Sequence, residues 1–258
     1  WPGGQPVYAP YELVGIDYRD MGLWDHESFH MSSIGLAAHA RADAALRHAL
    51  LETIENDATA ALEIFGFTPA LIEPLPEVAG PYGLGMILRR TAAAGLTVRF
   101  CRIVGAVDLP VVGCFVGRDI AGAAGTGTSF SAGFACRLDP GEAALAAVLE
   151  ALQSRLTDIA GARDDIAAEA FEPAGYDIAD DLPPTRVTLA GSTRPSARNE
   201  LAAIAMCLRQ AGIDEVFVFE LAHRPSMTVI RVLVPDLQAP GSASQLRLGL
   251  TAARQLLR

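Results

Sequence analysis

The chain contains no lysine, and all 20 of its basic residues are arginine. That removes a Walker-type lysine, a Schiff-base lysine and a kinase-type phosphate lysine. Positive charge is short overall, with 20 basic residues against 30 acidic ones and a formal net charge of -10. Non-specific nucleic-acid binding needs a basic field and is not expected. Cysteine is scarce as well. Cys101, Cys114, Cys136 and Cys207 show no CxxC spacing, so neither a zinc site nor a disulfide framework is expected. Cys101 and Cys114 sit in apolar, strand-like runs and read as buried reduced thiols. No run of about 18 apolar residues occurs, so no membrane span is expected. The opening "WPGGQPVYAPYELVGIDY" has no initiator methionine, no basic n-region and no apolar h-region. No signal peptide is expected from it and upstream residues are expected to be missing, and the acidic balance fits a cytoplasmic protein. No GxSxG is found, and Ser32 and Ser33 near His30 and His39 do not by themselves make a nucleophilic triad. "GTGTSF" lacks a third glycine and a following lysine, so it reads as a flexible turn before a strand.

What is present is a chain of 258 residues, 51% hydrophobic, enough for one large domain or two small ones. The start, "PVYAPYELVGIDY", reads as extended, and "HESFHMSSIGLAAHA" as loop. A helix is expected over about 41–65. A second, "PYGLGMILRRTAAAG", should stop at Gly95. "LTVRFCRIV" and "LPVVGCFVG" alternate like sheet strands. In "DPGEAALAAVLEALQSRLTDIAG", Asp139 suits the N-cap, Pro140 the first helical position, Glu142 a capping box, and Gly161 the stop. Residues 181–197 read as a flexible linker. "ARNELAAIAMCLRQAG" reads as a helix, "DEVFVFEL" and "MTVIRVLVP" as strands, and "SQLRLGLTAARQLLR" as a closing helix. Helices and strands mix without a regular βαβ repeat. The fold class is therefore α+β, with mixed sheets and packed helices.

Two of these helices carry side chains suited to chemistry. At ~100° per residue, His48, Glu52 and Glu55 fall within one narrow arc. Arg41 and Thr59 extend it, while Leu46, Leu50, Ile54 and Ala58 form the apolar side. Carboxylates at i and i+3 share a face and can share one hard cation. On the later helix, Val148, Leu149, Leu152, Leu156 and Ile159 make the apolar face. Glu150 and Gln153 lie opposite, among Ala146, Ala147, Ser154 and Thr157. Small neighbours around spaced polar side chains leave room for a ligand.

Three ordered segments now resemble one family. "SSIGLAAHARADAALRHALLETIENDA" looks like the YcaO family's segment of serine, a small-residue turn and E-x-x-E followed by a basic residue and aspartate. "LDPGEAALAAVLEALQSRLTDIAGARDD" is similar to its second segment, and "VFVFELAHRPSMTVIRVLVPDL" to its C-terminal strand pair. The resemblance spans nearly the whole chain as a single YcaO-like domain over 1–258. Family members also carry an earlier lysine-bearing motif with another E-x-x-E, so the N-terminal portion of the family domain is expected to be absent here.

The resemblance implies ATP- and Mg²⁺-dependent activation of a peptide backbone amide. The amide oxygen attacks the γ-phosphate, and a nucleophile then replaces the phosphorylated oxygen. A neighbouring Cys, Ser or Thr gives an azoline; an external sulfur source gives a thioamide. The need for metal is physical, because the phosphates and the developing charge must be neutralised. Carried over by position, Glu52 and Glu55 would ligate Mg²⁺. Ser33, Glu150, Gln153, Arg155 and Arg163 would contact ATP. The R-L-T-x-I-A-G-x-R-D-D wording resembles YcaO proteins that work with a TfuA partner. The chain lacks the C-terminal Pro-x-Pro-x-Pro of azoline-forming members, which points to thioamide formation. A peptide or protein is the implied substrate, and a TfuA-like protein and a second copy of this chain are candidate partners. Three positions depart from the family wording: Asn56 replaces a basic residue, Ile34 an asparagine, and His39-Ala40 a Gly-Asn pair. These motivate the alternative of a non-catalytic, peptide- or partner-binding member.

Overall fold

The computed structural model describes residues 4–16, 29, 31–117, 130–160, 182–189, 197–238 and 248–257. The elements in chain order are α1 (Tyr11–Val14), β1 (Leu36–His39), α2 (Ala42–Phe65), β2 (Ile72–Pro74), β3 (Glu77–Gly80) and α3 (Tyr82–Ala93). They continue with β4 (Thr97–Ile103), β5 (Val111–Gly117), β6 (Ser131–Cys136), α4 (Pro140–Ala160) and β7 (Arg186–Leu189). The last are α5 (Ala197–Gln210), β8 (Phe217–Arg224), β9 (Met227–Leu233) and α6 (Leu250–Leu256). Helices and mainly antiparallel strands are mixed, so the α+β class holds.

The chain divides into two compact units rather than packing evenly throughout. The first comprises residues 1–66, 105–109 and 195–258. Its sheet has the order β1-β9-β8, antiparallel throughout. Helix α2 packs on β9 and β1 and against α5 and α6. This helix is built as its spacing predicts. Leu50, Ile54 and Ala58 are buried, and the chain leaves it at Gly66, whose φ of 73° suits glycine and whose N–H donates to Leu62 O at 2.8 Å. Two further ties fix it. Arg47 pairs with the buried Glu200 of α5. Asp57, also buried, accepts from the backbone N–H of Gln238 at 2.8 Å and from both the N–H and the hydroxyl of Thr251.

The second unit comprises residues 67–104 and 110–194. Its main sheet has the order β2-β4-β5-β6, antiparallel, and β3 pairs with β7 in parallel. All seven residues of β5 are buried. Helix α4 begins as expected, with Asp139 Oδ1 accepting the Glu142 N–H at 2.9 Å. Its apolar face is the expected one only in part: Val148 is buried and Leu152 packs partly buried against the core. Leu149, Leu156 and Ile159 are 50%, 66% and 71% exposed, while Ala143, Ala144, Ala147, Val148 and Ala151 are buried. The reason is close approach. A Cβ at Gly133 of β6 would lie 2.3 Å from Ala151 N and 2.4 Å from Ala147 O. Helix and strand touch backbone to backbone there, and the contact leaves no room for a Cβ at residue 133.

Other expectations fail locally. "PVYAPYELVGIDY" is not wholly extended, since Tyr11–Val14 is a helical turn. The stretch read as loop contains β1, whose partner β9 lies far along the chain. The linker expected over 181–197 contains β7. Gly161 and the glycine-rich "GTGTS" run lie outside the described residues, as does the start of the expected closing helix. Cys101 and Cys114 are buried and free, and burial pushes the Cys101 thiol up to about 12 and that of Cys114 well above the ordinary range. Among the described residues no helix is long and apolar enough to cross a membrane.

Candidate functional site

In the first unit the site is built around Glu52. Its position on α2 turns the side chain toward the turn before β1, and its Oε2 accepts the Gly35 N–H at 3.3 Å. Gly35 is required there. Its φ is +77°, and a Cβ would lie 2.4 Å from Val232 O. The Gly35 carbonyl in turn accepts the Val232 N–H at 2.7 Å, which ties the turn to β9. Below it lies Arg231, only 1% exposed. Its Nε donates to Leu13 O at 3.1 Å and its Nη1 to Ser32 O at 2.6 Å. The net effect on Glu52 is a raised pKa. Burial pushes it up, and the Gly35 N–H and the Arg231 charge only partly offset this.

Glu55 lies one turn on, half-buried like Glu52. Ser33 is exposed in the same turn as Gly35, and its carbonyl accepts the Leu36 N–H at 2.8 Å. The structure therefore brings Ser33 and Glu52 together through that turn. Asn56, where a basic residue was expected, donates through Nδ2 to Gln238 O at 3.0 Å. Among the described residues no group of three or more His, Cys, Asp and Glu gathers as a metal site. Two hard carboxylates still fit Mg²⁺, which commonly takes one or two carboxylates together with phosphate oxygens and water. The donor set suits a cation that arrives with phosphate rather than one caged by protein alone.

In the second unit the matching feature is Glu150 of α4. Its Oε2 accepts the Phe134 N–H of β6 at 3.2 Å. Glu150 is exposed as a residue, but its carboxyl lies against the sheet, and that burial pushes its pKa up. The Phe134 N–H and the charge of Arg137 act the other way. Gln153 is exposed one turn further along, and Arg155 is partly exposed. Arg163 lies outside the described residues. Sequence reasoning missed Gly35, Arg231 and Gly133. Glycines before a strand or inside one were the available signal, together with an arginine set among the valines of "VIRVLV".

A family model described as YcaO cyclodehydratase, ATP- and Mg²⁺-binding, matches residues 1–238. The chain belongs to the YcaO family. An uncharacterised protein named for the tfuA 3' region of Rhizobium leguminosarum bv. trifolii is 27% identical over 269 residues, covering 98% of this chain and 63% of that protein. An uncharacterised protein of Methanothermobacter thermautotrophicus is 30% identical over 230 residues, covering 81% of this chain and 56% of its own length. The chain thus spans about 63% and 56% of these two curated relatives. Among solved structures, YcaO from Methanopyrus kandleri bound with AMPPCP and Mg²⁺ superposes with a TM-score of 0.62 at 19% identity, covering 88% of this chain and 60% of that one. The heterocyclase TruD superposes at 0.63 and 20% identity, covering 97% of this chain and 35% of that one. These two likenesses show a shared YcaO fold.

Proposed function

We propose that this chain carries part of an ATP- and Mg²⁺-dependent enzyme that activates a peptide backbone amide by O-phosphorylation. We further propose thioamide formation with a TfuA-like partner. The observation that carries the reading is Glu52, a partly desolvated carboxylate held on the Gly35 amide with Glu55 on the same helix face. The family's description supports ATP and Mg²⁺ as what is bound. The tfuA-region name of one relative supports the partner. When bound, Mg²⁺ and ATP supply charge neutralisation and the phosphoryl group. The chain's own work is positional. Glu52 and Glu55 would hold the cation, and Ser33 would meet the nucleotide from the adjoining turn. Arg231 and Gly35 fix that turn against β9, so little reorganisation remains at the moment of reaction. Glu150, Gln153, Arg155 and Arg163 would hold nucleotide.

The test is calorimetric titration of the full chain with ATP and Mg²⁺. Glu52→Ala and Glu55→Ala should each weaken binding at least tenfold. Undetectable binding by the longest natural form of the protein would sink the reading. A second reading has one observation in its favour. Asn56 is spent on the Gln238 carbonyl, where the resemblance calls for a cation. A non-catalytic peptide- or partner-binding protein would bind peptide equally with and without nucleotide. ATP turnover coupled to a change in peptide mass excludes it.

A further inference from the structure

A cavity of about 440 Å³ opens in the first unit beside β8 and β9. Its apolar walls include Val7, Leu13, Ile34, Phe217, Phe219 and Leu233. Four residues with polar side chains also line it: Tyr8, Thr53, Arg231 and Gln238. The last three make hydrogen bonds within the protein. Thr53 Oγ1 donates to Ala49 O at 2.8 Å. Arg231 donates to Leu13 O and Ser32 O. Gln238 Oε1 accepts the Gly249 N–H at 2.7 Å. A polar ligand group entering here would lose water against walls that are mostly aliphatic and aromatic. An apolar group loses nothing. The cavity also adjoins the carboxylate site through two of its walls. Ile34 precedes Gly35, and Thr53 follows Glu52.

The geometry points to this cavity as the subsite for one large apolar side chain, aromatic or branched aliphatic, of the peptide whose amide is activated. This deepens the proposed function and rests on it. A pocket of this size exceeds one aromatic side chain, so phenylalanine enters without strain and larger rings remain admissible. Its specificity is for bulk and apolarity, since its lining is mostly aliphatic and aromatic.

The experiment is fluorescence anisotropy of the full chain, without nucleotide, against three dye-labelled peptides of the form Gly-Ser-X-Gly-Ser-Gly, with X as phenylalanine, alanine or aspartate, and a fourth with naphthylalanine. With X as phenylalanine, affinity should exceed that for alanine by roughly ten- to a hundredfold, with aspartate weakest. Leu233→Trp narrows the cavity and should weaken the preference. Phe219→Ala enlarges it and should move the preference from phenylalanine to naphthylalanine. Loss of folding cannot produce that shift in size preference. Equal affinities for the three peptides overturn the assignment, as does a preference that Phe219→Ala leaves unmoved. ATP turnover is followed in a separate assay. An intact preference without turnover defeats the proposed function alone, and turnover with equal affinities defeats the subsite alone.

Discussion

Helix α2 of the first unit and helix α4 of the second each set a glutamate on a backbone amide: Glu52 on Gly35 at 3.3 Å, and Glu150 on Phe134 at 3.2 Å. In both, burial raises the carboxyl pKa and one N–H holds it in place. The surroundings differ. Around α2 a mostly apolar interior also holds buried Arg231 and Asp57, each hydrogen-bonded to backbone. Around α4 the contact is dry and alanine-lined. One device, a docked carboxylate, can therefore be placed either by a polar scaffold or by close packing. A single glycine is critical in each case. Gly35 supplies a positive φ, while Gly133 supplies absence of bulk.

The strongest way to break the comparison is at those glycines. Gly133→Ala drives a Cβ to 2.3 Å from Ala151 N, against rigid backbone on both sides. It should cost about 3 kcal/mol, the upper range for overpacking. Gly35→Ala should cost about as much, from left-handed strain and from the clash with Val232 O. Urea unfolding midpoints give both values. Mg²⁺-dependent ATP binding should fall further for Gly35→Ala than its stability loss explains, because the turn that carries the N–H donor to Glu52 must shift. If Gly133→Ala proves neutral, close packing is not what places Glu150.

The next change tests the polar scaffold. Asp57 accepts from Gln238 N–H and from two donors on Thr251, and so anchors α6 and the stretch after β9. Asn at this position turns an acceptor into a donor that faces donors. Asp57→Asn should destabilise by about 2–3 kcal/mol, in the range for a buried charged hydrogen-bond partner. Chemical denaturation reads it directly. A cost under half that would mean the first unit tolerates loss of its polar core.

Helix α2 was legible because Leu50, Ile54 and Ala58 recur at helical spacing and are buried. Glu52 and Glu55 were legible as an arc on that helix. The start of α4 was legible at Asp139, whose cap is local chemistry. Its buried face was not, because hydrophobicity favours leucine while Ala147 and Ala151 are what meet β6 at Gly133. Strands β1 and β7 were hidden for another reason. "LAAH" and "RVTL" are short, and their pairing with β9 and β3 is made far along the chain. What holds Glu52 was equally non-local, since Gly35 and Arg231 meet it only through β9 pairing. Local patterns reveal which side chains share a face, whereas long-range register decides what meets them.

The smallest effect separates the two glutamates by pH. Each carboxyl has a folded pKa above the ordinary glutamate value of 4.5. A raised acid pKa favours the protonated form in the folded state. The stability it contributes is fully present below the unfolded value and lost as pH rises through the folded one. Glu52→Gln and Glu150→Gln remove that loss. Each variant should therefore gain on the parent as pH rises from about 4 to 7, and the gain should be larger for Glu52, the less exposed residue. Thermal unfolding across that range measures it. Mg²⁺ with ATP should reverse the sign for Glu52→Gln, since the bound cation stabilises only the parent carboxylate. The parent's Mg²⁺-dependent affinity should weaken as pH falls through the raised pKa. A gain at Glu150 equal to that at Glu52 would show that the polar scaffold around α2 adds no desolvation beyond what a helix packed on a sheet already imposes.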